Sequence, residues 1–429
     1  MRPKTLLLLL LRKAEVHWEG QILSDKIKKY SPFLMFGFLT QLFSILLPPN
    51  SNISGTKVAF CNYYINKWNI LNVHIDCDSQ YFLLDSQNPL RLLSSETPLQ
   101  DRPLHILFVS LISRFLEFIG VPSGSITYLG EDSVSQTYNV LDYGVYIGTN
   151  VLILGISIFI VMRILLRSVN TKSTITRASI FLALAMIVQN PVNREFFWTP
   201  HSQIFNILIP AILFQFVQKD LILTTRRFWM YFGLFGALSL FYPTFSIVLP
   251  IFFVLSWRKL GKAYGFLSLF ILLPRILWPR IIELLGGDYV DWPVVGHRRF
   301  IWILDSYRKE TLVIDSADNL WKFLNSLPVH WLAITAFLVL LSILIHKQSR
   351  NLYHLSTNND VSLAYLAVAT YSVGLILNGE YGQRFTTGLV LLISFMVMSQ
   401  VIQLNKQTKP IILCLFGIIG LNCWHWVIW

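Results

Sequence analysis

The stretch that decides the fold is LHILFVSLISRFLEFIG, residues 104–120. Its apolar residues recur at helical spacing, yet Arg114 and Glu117 fall inside it. A charged side chain at the centre of a membrane-spanning helix costs roughly 2.5–3.5 kcal/mol on insertion scales. An amphipathic helix that lies flat in the membrane interface avoids this cost. The pattern therefore predicts an interfacial helix here, not a membrane span.

The composition of the rest of the chain is typical of a polytopic membrane protein. Of 429 residues, 54% are hydrophobic and only 14% are charged, and the mean hydropathy is +0.54. Soluble domains carry about 25% charged residues. The net charge is +12, but much of the basic excess falls in short loops between apolar segments. We therefore expect the lipid bilayer, and no nucleic acid, as the partner of these basic residues.

The apolar segments are long enough to cross a membrane, and together they predict a bundle of membrane-spanning helices. Apart from 104–120, they fall at about 31–48, 140–166, 177–191, 203–218, 228–242, 243–257, 262–284, 328–346, 361–377, 385–403 and 410–428. The pair 228–242 and 243–257 meets at Tyr242-Pro243 with almost no loop, which indicates a tight turn or a broken helix. The prediction is an all-α polytopic membrane protein with about eleven transmembrane helices.

The positions of the basic loops predict the topology. Lys26, Lys28 and Lys29 precede the first span, which places the N-terminus in the cytoplasm. If 104–120 lies flat, the basic groups of the later loops all fall on the same inner side. They are Arg163, Arg167, Lys172 and Arg177; Lys219, Arg226 and Arg227; Arg258, Lys259 and Lys262; His346, Lys347 and Arg350; Lys406 and Lys409. We expect a multi-pass protein of the plasma (inner) membrane.

This topology divides the chain into an N-terminal cytoplasmic or interfacial segment, 1–30, and a single transmembrane domain, 31–429. Polar segments 49–139, 191–202, 285–327 and 378–384 then converge on the outer face. The first of them holds Cys61 and Cys77, and whether these two cysteines form a disulfide stays open.

The first outer segment carries two acids one residue apart, Asp76 and Asp78, followed by Tyr81. A carboxylate beside a span can deprotonate an acceptor hydroxyl or hold a metal ion. It can equally be a solvated loop acid or a helix N-cap. A divalent metal, Mg or Mn, at Asp76 and Asp78 is one of the open alternatives, and no cofactor is otherwise indicated.

Basic and potentially basic residues recur on the same face. Arg102 opens the interfacial helix, where it suits a lipid phosphate or simply snorkels to the interface. His201 could orient a hydroxyl, bind a metal or cap a helix. Arg298 and Arg299 depart from the positive-inside pattern and therefore indicate an anionic partner. Arg384 stands at the start of a span and could clamp a phosphate or cap the helix.

The order of these motifs resembles the GT-C class of membrane glycosyltransferases, in particular the aminoarabinose and mannosyl transferases. These enzymes use sugars linked to a polyprenyl phosphate. The matching motifs are Asp78-Ser-Gln-Tyr81, Arg102-Pro103-Leu104, Gly233 and Gly236 before Tyr242-Pro243, and Arg384-Phe385. Two positions depart from the family pattern: Tyr242 replaces a basic residue, and His201 and Ser202 stand where many relatives have an acid.

The resemblance implies a GT-C-like bundle with an outer-face amphipathic juxtamembrane helix, and an active site on that face. It implies that Asp78 is the catalytic base and Asp76 a second acid. Arg102 and Arg384 would contact the donor phosphate, and Tyr81 belongs to the acidic motif. His201, Arg298 and Arg299 stay candidates for substrate binding on their position and charge alone. The donor would be a polyprenyl-phosphate-linked sugar, and the acceptor a lipid, a glycan or a protein.

Three other functions stay open. An O-antigen-type polymerase or ligase would use undecaprenyl-linked glycans and depend on outer-loop arginines such as Arg298. A lipid-sugar transporter or flippase would carry acids near the bilayer midplane, where the apolar segments have few. A degenerate, non-catalytic relative of the transferases is the last alternative, since Tyr242 breaks a family motif.

Overall fold

The computed structural model describes residues 63–66, 72–75, 77–129, 135–167, 190–218, 221–290, 301–326, 359–379 and 383–403, with positions 180, 184, 187 and 188. The described part of the chain is all-α apart from two small hairpins. The helices are α1 Cys77–Gln87, α2 Pro103–Phe118, α3 Val140–Arg167, α4 Pro191–Phe196, α5 Phe205–Phe216, α6 Thr225–Phe241, α7 Leu249–Leu260, α8 Lys262–Ser268, α9 Leu273–Leu284, α10 Ile301–Arg308, α11 Leu312–Asn325, α12 Asn359–Asn378 and α13 Gln383–Gln403.

The two hairpins lie in the polar segment around α1 and α2, and the sequence did not predict them. Strands β1 (Tyr63–Asn66) and β2 (Asn72–Ile75) pair antiparallel, as do β3 (Ser125–Leu129) and β4 (Ser135–Asn139). Strand β2 ends just before α1, and β4 leads directly into α3. The hairpins thus flank the helices that carry the acidic motif and the interfacial stretch.

Three helical segments within the described residues are long and apolar enough to cross a membrane, as expected of a membrane protein. They are Val140–Leu166, Pro243–Leu260 and Lys262–Leu284. The first and third have the bounds that hydropathy predicted, and the second extends the predicted 243–257. Shorter apolar helices at Ser202–Phe216, Leu363–Asn378 and Phe385–Met396 coincide with other predicted segments. The predictions at 31–48, 328–346 and 410–428, and most of 177–191, lie outside the described residues.

Two predicted spans contain 3₁₀ turns that the apolar pattern did not reveal. Pro243–Val248 is a 3₁₀ helix between α6 and α7, and Leu269–Leu272 is another between α8 and α9. Phe228 near the start of α6 contacts Tyr264 beyond the end of α7, with ring centroids 5.0 Å apart. The two helices are therefore antiparallel, so Tyr242-Pro243 begins a tight turn and not a kink within one helix.

The interior is built around α5, which is apolar on every side. Every residue from Phe205 to Phe214 is buried, and α5 packs against α3 and α13. A helix that is hydrophobic all round belongs in the core of a bundle or in a membrane. Burying one large aliphatic or aromatic side chain stabilises the fold by about 1.5–3 kcal/mol, so this central helix anchors the elements around it.

Helix α2 has two different faces. Pro103, His105, Ile106 and Val109 are among the residues buried against α1, α3 and α6. Away from this face, four large apolar side chains are exposed in a line: Leu107, Leu111, Phe115 and Phe118. Arg114 and Glu117 are exposed as well. The charges that predicted an unusual helix therefore lie outside the protein interior.

The segment that joins α1 to α2 is held by buried polar contacts. Asp85 accepts a hydrogen bond from the Thr97 hydroxyl, and an ion pair of 2.9 Å links it to Arg91. The Gln100 amide donates to the carbonyls of Leu92 (3.0 Å) and Asp288 (2.8 Å). These bonds fasten residues 89–102 to the chain that follows α9. Residues of the first and third polar segments are thus in contact, and their location on the outer face stays a prediction.

Gly287 offers a test of this junction. A Cβ atom at this position would lie 2.9 Å from the Cα of Leu93 and against its carbonyl, where neither backbone can yield easily. We expect Gly287→Ala to destabilise the protein by roughly 1–3 kcal/mol, the usual cost of overpacking. The measurement is the apparent Tm of the full chain in lipid nanodiscs.

Gly148→Ala on α3 is the matched control, since a Cβ there meets nothing within 4 Å. Alanine also favours helix over glycine, so this control should keep or raise the apparent Tm. Equal Tm values for Gly287→Ala and the unmodified chain would contradict the packing of Gly287 against Leu93.

Candidate functional site

Asp78 and His201 meet although they are distant in sequence. Asp78 lies in the first turn of α1, and its side chain is 59% exposed. His201 is only 2% exposed, and its Nε2 lies 3.3 Å from Asp78 Oδ2. The rings of Phe82 and Phe196 pack against the imidazole, at centroid distances of 5.2 and 4.8 Å. Asp78 and His201, both predicted as site residues, are therefore in contact.

The backbone around His201 determines which ring nitrogen faces Asp78. His201 Nδ1 accepts a hydrogen bond from the Gln203 backbone N–H at 3.0 Å, which caps the 3₁₀ helix Ser202–Ile204. A nitrogen that accepts carries no hydrogen, so the ring hydrogen of the neutral imidazole sits on Nε2. Nε2–H can then donate to the Asp78 carboxylate. The capping and functional interpretations of His201 are therefore compatible.

Arg102 lies at the entrance of α2, as the sequence predicted, and reaches the residue next to His201. Its Nη1 donates to the Ser202 hydroxyl at 2.8 Å, and its Nε lies 3.3 Å from Asp101 Oδ1. The guanidinium carbon is 5.7 Å from the centre of the Tyr242 ring, a cation–π distance. The side chain is 21% exposed, so the guanidinium is held in place while part of it stays accessible from solvent.

A buried polar group lies under the guanidinium. The Tyr242 hydroxyl donates to Gln203 Oε1 at 3.0 Å, and the Asn206 amide donates to the same oxygen at 2.6 Å. All three side chains are buried. The Tyr242 ring is thereby fixed beneath Arg102. A basic side chain in place of Tyr242 would bring a second cation against Arg102 and lose the ring that faces it.

His105 is a buried residue that packs beside the site. It is fully buried among aromatic rings, including Phe82, Phe205 and Phe241, and its pKa is lowered to about 3. Burial is the main cause of this shift, and the nearby positive charge of Arg102 adds to it. The imidazole is therefore neutral at ordinary pH and packs as an aromatic ring under the polar surface.

The structure says less about the other predicted site residues. Tyr81 is half-buried and packs against the apolar cluster of α1 and α2. Arg384 begins the first turn of α13, and Gly388, one turn later, lies against the Asn206 carbonyl. The start of α13 thus lies near the polar group under Arg102. Asp76, Arg298 and Arg299 lie outside the described residues, so their roles stay predictions.

The metal alternative stays a prediction too. Within the described residues, no three His, Cys, Asp or Glu side chains come together in a way that could hold a metal ion. Asp78 contacts a histidine whose Nδ1 is already used as a cap, and Asp76 is outside the described part. Any metal at this position would depend on Asp76 as a second oxygen ligand.

Sequence reasoning missed four residues of the site: Ser202, Gln203, Tyr242 and His105. Each is a buried side chain whose partner is remote in sequence. Ser202 and Tyr242 were considered only as departures from the motifs of the transferases that the sequence resembles. A signal was present in the polar run His-Ser-Gln before a mostly apolar helix, because polar side chains at the head of a buried helix need partners.

The chain was compared with known protein families, curated proteins and solved structures, and none of the three comparisons found a match.

The neutral state of His105 gives a test by pH. Unfolded histidine binds a proton below about pH 6.5, whereas folded His105 does not until the pH approaches 3. Acidification within this range therefore favours the unfolded chain, by up to about 1.4 kcal/mol per pH unit from this residue. We expect His105→Phe to make the apparent Tm fall less steeply between pH 6.5 and 5.

Phe241→Leu is the control, since it loosens the same aromatic packing without removing a titratable group. It should lower the Tm by a similar amount at every pH in this range. The same pH dependence of the Tm in His105→Phe and the unmodified chain would show that His105 is not buried in a neutral state.

Proposed function

We propose that this protein is an integral membrane glycosyltransferase that moves a sugar from a polyprenyl-phosphate donor to an acceptor hydroxyl at the outer face. One observation carries the proposal. A carboxylate from the start of α1 and a guanidinium from the start of α2 are bound by two consecutive residues, His201 and Ser202. A base and a phosphate-binding cation on one small site are the two groups that this reaction needs.

The placement of α2 supports an active site at the membrane surface. Leu107, Leu111, Phe115 and Phe118 are exposed in a line, which suits a helix that lies in the interface with these residues toward lipid. Arg102 is the residue just before this helix, and a helix that lies in the interface would hold it at the depth of lipid headgroups. A phosphate on a polyprenyl chain would then reach Arg102 while its tail stays in the bilayer.

In this proposal Asp78 acts as the general base. One of its oxygens accepts the Nε2 hydrogen of His201, and the side chain is exposed enough for an acceptor hydroxyl to reach the carboxylate. The carboxylate takes the hydroxyl proton as the acceptor oxygen attacks the anomeric carbon. The bond from that carbon to the phosphate oxygen breaks, and polyprenyl phosphate leaves. A direct displacement of this kind inverts the anomeric centre.

Arg102 would stabilise the leaving phosphate. Arginine is always charged and presents five N–H donors in one plane, a geometry that suits phosphate oxygens. The contacts to Ser202 and Asp101 hold this guanidinium at the entrance of α2. The Tyr242 ring keeps the guanidinium in this orientation. Arg384, as a second phosphate contact, and Asp76, as a second acid, belong to the same proposal.

Asp78→Asn tests the base. The amide keeps the size of the side chain but cannot accept the proton, and general bases contribute roughly a hundredfold to ten-thousandfold in rate. We expect a fall of this size in the transfer of label from radiolabelled polyprenyl-phosphate sugars to the lipid, glycan and protein fractions of membranes that contain the full chain.

Asp318→Asn is the matched control, because Asp318 is a half-exposed acid that pairs with Lys322 on α11, outside the site. Its transfer rate should equal that of the unmodified chain. Undiminished transfer by Asp78→Asn would remove Asp78 as the base.

Arg102→Lys tests the phosphate contact. A lysine ammonium cannot reproduce the planar donors that reach Ser202 while facing the Tyr242 ring. A hydrogen bond to a charged group is worth about 1.5–3 kcal/mol, so kcat/KM for the donor should fall roughly tenfold to a hundredfold. Arg280→Lys, at an exposed arginine paired with Glu283, is the control and should leave the rate unchanged. An unaltered kcat/KM in Arg102→Lys would exclude the proposed contact.

A further inference from the structure

A second polar cavity lies at the opposite end of α1 and α2 from the Asp78 site. Its volume is about 360 Å³, and its walls come from the end of α1, the second half of α2 and the start of α3. Gln87 is nine residues beyond Asp78, so the helix separates them by about 13 Å. Arg114 lies about 18 Å along α2 from Arg102 by the same measure. None of the lining residues takes part in the site described above.

The polar groups of this cavity are held by hydrogen bonds. Arg114 Nη2 donates to the Gln87 carbonyl at 3.2 Å. Asn139 Nδ2 donates to Glu117 Oε1 at 2.6 Å, and its own Oδ1 accepts from the Leu141 backbone N–H at 2.8 Å. Side chains that would otherwise move freely in water are thus fixed in position, which lowers the entropy cost of binding a ligand.

Asp142 forms the most buried part of the wall. It lies in the first turn of α3 and is only 3% exposed, and Ser86 and Ser113 line the cavity with it. A buried carboxylate is costly unless its oxygens receive hydrogen bonds. A ligand that brings further donors into the cavity would lower that cost.

The balance of charges indicates the chemistry of the ligand. Asp142 and Glu117 are acceptors, Arg114 is a donor, and Asn139 is both. A phosphate or another anion would be repelled by two carboxylates. A tightly held metal ion would need more carboxylate or histidine ligands than the described residues bring together here. A sugar is neutral, and each of its hydroxyls both donates and accepts, so it matches donors and acceptors on the same wall.

We infer that this cavity is a binding site for a neutral, hydroxyl-rich carbohydrate. That the carbohydrate is part of the acceptor rests on the proposed transferase function. An acceptor glycan held at this end of α1 and α2 would extend toward Asp78, where its terminal hydroxyl reacts. Binding of the sugar itself depends only on the cavity and needs no transfer reaction.

The test measures binding directly. The full chain in nanodiscs is mixed with maltotriose, mannotriose and chitotriose, and saturation-transfer NMR reports which of them bind. We expect at least one to bind, and expect Asp142→Asn and Arg114→Gln each to weaken that binding about tenfold or more, since each removes a hydrogen bond to a charged group. Arg114 is exposed, so its variant should fold normally even if Asp142→Asn lowers the apparent Tm.

Arg280→Gln, which removes an exposed arginine on α9, should leave sugar binding unchanged. Asp78→Asn should keep sugar binding even where transfer is lost, so failure of the transferase proposal and failure of this site are distinguishable. Absence of binding by all three sugars would overturn the inference. So would equal binding in the cavity variants, or binding of Mn²⁺ or glucose 6-phosphate in competition with the sugars.

Discussion

The candidate site depends on the imidazole of His201, which joins residues 123 positions apart in the chain. Its Nδ1 caps the turn that leads into the central helix α5, and its Nε2 faces the carboxylate of Asp78. Because the ring is buried between Phe82 and Phe196, it cannot turn without disturbing the packing of α1 against α4. The position of the acid is thus coupled to the most buried helix of the bundle.

The charge of Arg102 is likewise met by its surroundings. Its guanidinium lies on a tyrosine ring and beside a carboxylate and a hydroxyl, while the histidine beneath it stays neutral. A cation with little access to water is tolerated only when its donors and its charge are met by the surroundings. Tyr242 therefore has a definite structural role here. It supplies the face on which Arg102 rests.

Much of the architecture was predictable because it follows from hydropathy. The segments 140–166 and 262–284 have the bounds that their apolar composition predicted, and the charges at 114 and 117 set α2 apart. Asp78, Arg102 and His201 were each predicted as site residues, yet their contact was not. Within the polar segment 49–139, α1 and the 3₁₀ turn Pro89–Leu93 were not predicted. Short helices with little amphipathic pattern leave no clear periodicity to detect.

Hydropathy and charge alone indicated an α-helical protein with segments apolar enough to cross a membrane, and they located its reactive side chains along the chain. Hydropathy and charge are local properties, and the cost of placing charge in lipid acts on each segment separately. Only the tertiary structure decided which polar groups meet: His201 with Asp78, Ser202 with Arg102, and Gln100 with the chain after α9. Hydrogen bonds between distant residues depend on how helices pack against each other. No periodic pattern in the sequence records which side chains then meet.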